Sequence, residues 1–312
     1  MPSVTTLSQY AISNIGPLTT VFTAPPACAT KSKDFVLGVK YPDSHSNPEP
    51  RWAQSCSFAS LGECYPSGKA LDDAWRTSLE SENGFTDAGK MAYFSPASQC
   101  PEGHVTVGVA AKNDAGQISS SGVFVPPVTD WPGGYLPSNP YLNVFMEALD
   151  NGETAVICCP EGYESSPGGG GCYSEVPLSS YGELTVCEGG GRGREAFTWV
   201  NATFSYNNTI HTGAVISYTA TSLPKQTYTT STLEDMGTDA RTVAWVVGDE
   251  VTMVHRPADA ATGDGSGAAG PTETAPSTAQ GWRMTTSGGG VGVLATAWAL
   301  AALVGVTLVV PW

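Results

Sequence analysis

Eight cysteines, Cys28, Cys56, Cys64, Cys100, Cys158, Cys159, Cys172 and Cys187, constrain this chain more than any other feature, and all lie in the first two thirds of its 312 residues. An even set of this kind makes either disulfides or zinc sites. Zinc sites usually start from a Cys-x-x-Cys pair, and the sequence has none. Disulfides are therefore expected, and with them an oxidising compartment. Eight cysteines allow roughly a hundred pairings, and the sequence does not choose among them. One local inference is available. Cys158 and Cys159 are adjacent at the end of an expected strand, where successive side chains face opposite ways, so each needs its own partner. Pairing Cys159 with Cys172 would close the glycine-rich segment EGYESSPGGGG.

Around the cysteines the chain is rich in Gly (36) and Pro (23), with only 14% charged residues. Many turns and few ion pairs point to a mainly β fold. Residues 1–27 read as an extended, Thr-rich lead-in, with Pro25-Pro26 fixing a kink before Cys28. Residues 28–188 read as a cysteine-rich β domain. Val105 to Val109, Gly122 to Val125 and Thr154 to Ile157 alternate like half-buried strands. Asp72–Leu79 and Pro140–Leu149 are the expected helices, the second with Asn139 as N-cap and Pro140 in its first position. Residues 194–256 read as a β-rich extension of the same domain, carrying Ala196–Phe204, Ala214–Thr219 and Thr242–Val247. Gly248-Asp249-Glu250 reads as the turn of a closing hairpin into Val251–Val254.

From residue 257 to 287 the composition falls to Ala, Gly, Thr, Ser, Pro and Asp, which cannot bury enough apolar surface to offset ordering entropy. A disordered linker is expected there. Residues 288–312, GGGVGVLATAWALAALVGVTLVVPW, carry no charge. About 20 apolar residues cross a hydrocarbon core of ~30 Å, so this tail can insert in a membrane, its expected partner. Ser277-Thr278-Ala279, a polar spacer and the apolar tail match the pattern exchanged for a glycolipid anchor, with Ser277 the candidate attachment residue and Gly267 a second. A permanent transmembrane helix is the alternative. The first residues lack the basic and apolar regions of a secretory leader, so either a leader lies upstream of Met1, which the cysteines, sequons and tail favour, or the chain is not secreted. Asn201-Ala-Thr and Asn207-Asn-Thr are N-glycosylation sequons. A net charge of -15 repels phosphate backbones and excludes nucleic acid as an expected partner.

Two segments repeat, Cys100-Pro-Glu-Gly-His and Cys159-Pro-Glu-Gly-Tyr. Pro fixes φ and Gly supplies a positive φ, so each is a tight turn directly after a cysteine. Together with YFSPASQCPEGHVTVGVAAKNDAG, SSSGVFVPP, GETAVICCPEGY, GGGGCYSEV, NIGPLTTVFTAPPACAT and GECYPSG, these repeats resemble a set of uncharacterised surface glycoproteins of filamentous ascomycete fungi. The likeness spans roughly Asn14 to Cys187 and recurs in the apolar tail. It implies a secreted, membrane-attached protein and brings no assigned activity. His104 stands where an aromatic residue is usual in that set.

Catalytic patterns are sparse. There are four histidines, no Gly-x-Ser-x-Gly elbow and no His-Glu-x-x-His run. Glu153, Glu161, Asp249 and Glu250 are read as solvated turn carboxylates. Gly191-Arg-Gly-Arg-Glu-Ala fits a dinucleotide pattern loosely, but a strand follows it instead of a helix. No cofactor, metal or catalytic residue is expected. Trp131, Tyr135 and Tyr141 lie in a Pro/Gly-rich loop, where rings either pack as a small core or face a sugar such as a cell-wall polysaccharide. The expectation is a disulfide-braced β ectodomain on a disordered stalk, acting as a non-catalytic surface glycoprotein. The alternatives are an anchored carbohydrate-active enzyme or binder, then a single-pass sensor.

Overall fold

A computed structural model describes residues 2–30, 33–40, 49–56, 60–80, 89–125, 138–165, 171–189, 197–206, 209–218, 228–232 and 241–257. The fold is mainly β, as composition and alternation predict.

The lead-in is more than a tether. β1 (Thr6–Leu7) and β2 (Tyr10–Asn14) pair antiparallel, and β2 pairs parallel with β5 (Gly89–Tyr93). Tyr10 and Ile12 alternate inward and are buried. Pro26–Thr30 forms a 3₁₀ turn that carries Cys28.

A four-stranded sheet runs in the order β16 (Val251–His255), β8 (Glu153–Pro160), β6 (His104–Lys112), β7 (Ile118–Gly122). On one face, Ala155 and Ile157 of β8 pack with α2 (Tyr141–Ala148), Phe124, Met91 and Tyr93. On the other, Val156 and Cys158 pack with Phe94, Val251 and Met253. β8 is therefore buried on both faces, not half-buried as its alternation suggests, because α2 covers one side and the chain around Phe94 the other. Phe94 N–H donates to Thr252 O at 2.9 Å and Val254 N–H to Phe94 O at 2.8 Å, lacing β5's exit to β16.

Gly122 to Val125 is not a strand. β7 ends at Gly122 and the chain turns, placing Phe124 in the core at 1% exposure. The cause is the register shift of β6 between Thr106 and Gly108, whose Val107 carbonyl accepts from Val123 N–H at 3.1 Å. Gly122 has φ +60°, and a Cβ there would lie 2.0 Å from Val107 O.

A five-stranded sheet runs β4 (Glu49–Ala53), β3 (Phe35–Lys40), β15 (Arg241–Gly248), β10 (Cys172–Val176), β9 (Glu164–Ser165). It too is apolar on both faces: Val36, Tyr173, Val243 and Trp245 cluster on one, Leu37, Tyr181, Val186 and Ala244 on the other. β15 and β16 do not form the expected closing hairpin. They enter different sheets, β15 beside β3 and β10, β16 beside β8. Asp249 and Glu250 are a crossover between sheets.

The helices are close to expectation. α1 (Gly68–Glu80) starts one turn earlier than predicted, and its Asp72 carboxylate accepts from Leu61 N–H and Gly62 N–H at 2.9 Å each and from the Ser60 hydroxyl. α2 takes Pro140 as its N-cap, without a side-chain cap bond. Asn139 is not the N-cap; its amide reaches Ser8 Oγ (3.2 Å) and Glu147 Oε2 (3.0 Å) instead. The remaining strands make two-stranded units, β11 (Thr185–Gly189) with β14 (Tyr228–Thr232) and β12 (Phe197–Tyr206) with β13 (Thr209–Tyr218).

Candidate functional site

All eight cysteines are bridged: Cys28–Cys64, Cys56–Cys187, Cys100–Cys158 and Cys159–Cys172. The vicinal pair takes two partners, and Cys159 bonds Cys172 across a sequence separation of 13. Cys158, Cys159 and Cys172 are wholly buried. Four bridges are the mark of an extracellular or secreted chain.

The repeated turns lie side by side at one end of the four-stranded sheet. His104 pairs with Pro160, and Glu161 N–H donates to Gly103 O at 2.9 Å. Each turn closes by its own bond, His104 N–H to Pro101 O at 3.0 Å and Tyr163 N–H to Pro160 O at 3.0 Å, with Gly103 at φ +74° and Gly162 at φ +82°. Their sequence kinship thus serves one structural purpose, turning two neighbouring strands directly beside their disulfides.

Glu153 and Glu250 are not solvated. Glu153 is 0% exposed; its Oε2 accepts from Asp150 N–H at 2.9 Å and its Oε1 faces Arg256 Nη2 at 3.4 Å. Glu250 is 8% exposed. Its Oε2 accepts from Ser165 Oγ and Gly171 N–H, each at 3.1 Å, and its Oε1 from Thr252 Oγ1 at 3.3 Å. Tyr65 O–H donates to the Glu250 carbonyl at 2.7 Å. Burial explains the difference, because each carboxylate answers a backbone donor inside the fold, Asp150 N–H before β8 for Glu153 and Gly171 N–H before β10 for Glu250. Glu161 is exposed and Asp249 half-buried.

Tyr141 cannot face a sugar. It is 5% exposed and packs edge-on to Tyr10, ring centroids 5.7 Å apart, and burial holds its hydroxyl well above the ordinary tyrosine pKa. Trp131, Tyr135, Asn207, Gly267 and Ser277 lie outside the described residues. The Glu147 carboxyl is raised above its ordinary pKa by burial, against bonds from Asn139 and Asn143 that lower it. Tyr93 is pushed up to about 12 by burial, then by the charges of Glu153 and Asp150.

The surface that the sequence reading missed is the β12–β13 ribbon. Its register pairs Phe197 with Tyr218, Trp199 with Ile216, Asn201 with Ala214 and Thr203 with Thr212. These pairs share one face, since directly opposed residues project to the same side. Trp199 is 44% and Ile210 74% exposed, and Trp199 meets Phe197 edge-on at 6.3 Å. The opposite face carries Phe204 stacked on His211 at 5.7 Å. The ribbon is fastened to the body by polar bonds. Tyr218 N–H donates to Gln9 Oε1 (3.0 Å), Gln9 Nε2 to Ser217 Oγ (3.0 Å), and Asn143 Nδ2 to Ser205 O (2.8 Å). The available signal was an aromatic strand pair following a glycine run, which reads equally as core.

No group of three His, Cys, Asp or Glu among the described residues is placed to hold a metal ion. No described helix is long and apolar enough to cross a membrane, and the apolar tail lies outside the described residues. No protein-family model, curated protein or solved structure matches the chain.

Proposed function

We propose that this chain is the ectodomain of a non-catalytic cell-surface glycoprotein, held by its C-terminal tail at the plasma membrane or cell wall and serving wall structure or contact. The observation that carries the reading is the set of four disulfides, which use every cysteine and of which two, Cys56–Cys187 and Cys100–Cys158, tie the first half of the chain to the second. The resemblance to fungal surface glycoproteins points the same way. So does the use of Glu153 and Glu250, whose oxygens serve the fold's own donors, Asp150 N–H, Ser165 Oγ and Gly171 N–H.

The test is an epitope tag in the stalk near Asp264, followed by phosphatidylinositol phospholipase C on intact protoplasts, with a known glycolipid-anchored protein as control. Release of the tagged domain is the expected outcome. Retention while the control is released overturns the glycolipid anchor, and a tag inaccessible from outside overturns the surface reading.

A further inference from the structure

The sequon Asn201-Ala202-Thr203 lies in the middle of β12. Strand periodicity puts Trp199, Asn201 and Thr203 on one face, with Asn201 and Thr203 both exposed. Opposite Asn201 stands the small side chain of Ala214, and Asn201 itself is exposed. Toward β12's start the face carries Trp199, Phe197, Ile216 and Tyr218; toward its end Thr203 and Thr212 bond each other at 2.8 Å, and the exposed Ile210 lies beyond them opposite Ser205. A side chain two residues along a strand lies about 7 Å away, within reach of the first sugar on an asparagine.

The geometry points to an N-linked glycan on Asn201 whose first N-acetylglucosamine lies over the Trp199 indole. This rests on the surface reading above, because the modification requires passage through the secretory compartment. The donor is a lipid-diphosphate-linked oligosaccharide. A bond forms between Asn201 Nδ2 and sugar C1, the bond from C1 to the diphosphate oxygen breaks, and the amide proton leaves with the lipid diphosphate. The C–H face of the sugar then covers the exposed indole, and its polar groups stay in water. A 44%-exposed tryptophan on a two-stranded ribbon thereby gains a covalently attached cover.

The test uses the full chain behind a secretory leader placed before Met1, made in a fungal host, with site occupancy read by glycopeptide mass spectrometry. Trimming with an endoglycosidase that leaves one sugar should preserve the melting temperature, whereas Asn201→Gln should lower it by about 2–4 °C. In Trp199→Ala the trimmed glycoform and the Asn201→Gln double variant should melt together, and Trp199→Phe should restore part of the difference. Each comparison is made within one Trp199 background, so any cost of losing the indole itself cancels. Secreted protein with bare Asn201 overturns this inference alone. So does an occupied site with no stability difference. A chain that enters the secretory path and leaves its eight cysteines unbridged overturns the surface reading together with it.

Discussion

Glu250 lies where the chain leaves β15 for β16, and its carboxylate bonds to both ends of the segment between β9 and β10, at Ser165 and Gly171. A short crossover between sheets exposes backbone donors to the interior, and a buried donor without a partner costs about 1–3 kcal/mol. One carboxylate answers a hydroxyl and an amide from that segment and the Thr252 hydroxyl, while its own carbonyl takes Tyr65. Glu250→Ala should therefore destabilise the fold by on the order of 3 kcal/mol, read as a shift of the urea midpoint with little change in slope. Adding Ser165→Ala should cost less in that background than alone, since the hydroxyl would already have lost its acceptor. Costs that simply add would show that Ser165 and Glu250 act separately. In sequence, Glu250 resembles any turn carboxylate; its burial follows from partners far off in the chain, Ser165 and Gly171, 85 and 79 positions away.

At the scale of elements, local pattern was a good guide to strand existence and a poor one to strand partners. The runs in β6, β8, β12, β13, β15 and β16 are legible because β-branched and aromatic residues cluster between Gly and Asp. The split between β15 and β16 is not. Gly248-Asp249-Glu250 has the composition of a hairpin turn whether the chain folds back or crosses over, and the choice is made by Val251–His255 pairing with Thr154–Cys158. Gly122 to Val125 failed for a related reason: its apolar alternation is real, but Phe124 buries from a turn held against Val107. That turn depends on a glycine. Gly122→Ala would add the strain of φ +60° to a Cβ 2.0 Å from a backbone oxygen that cannot rotate away. Left-handed backbone costs a non-glycine residue about 1–2 kcal/mol and overpacking about 1–3 kcal/mol more. The variant should melt well below the parent in thermal denaturation; a melting temperature within a degree would mean that β6 and β7 separate freely.

Across the whole molecule the four bridges divide by burial and by span. Cys159–Cys172 is buried at both ends and closes a separation of 13 residues, while Cys56–Cys187 has both cysteines only partly covered and closes 131. A thiolate must reach the sulfur in line to reduce a disulfide, so access sets the order of attack. Under native conditions, limited reductant followed by alkylation should label Cys28, Cys64, Cys56 and Cys187 first, with Cys159 and Cys172 last. Thermodynamic weight should run differently. The chain-entropy model assigns about 5 kcal/mol to a loop as long as that of Cys56–Cys187 and about 3 kcal/mol to one as short as that of Cys159–Cys172. The bridge opened early is then the one whose loss widens the unfolded ensemble most. Mass mapping of labelled peptides, with the denaturant midpoint of the Cys56→Ser/Cys187→Ser double variant, checks both halves. Early labelling of Cys159 would remove the buried clasp from this account. A Cys56/Cys187 variant as stable as the parent would mean that β11, which among the described residues pairs with β14 alone, is held to the five-stranded sheet by Val186 and Tyr181 packing against Leu37 and Ala244 rather than by its bridge.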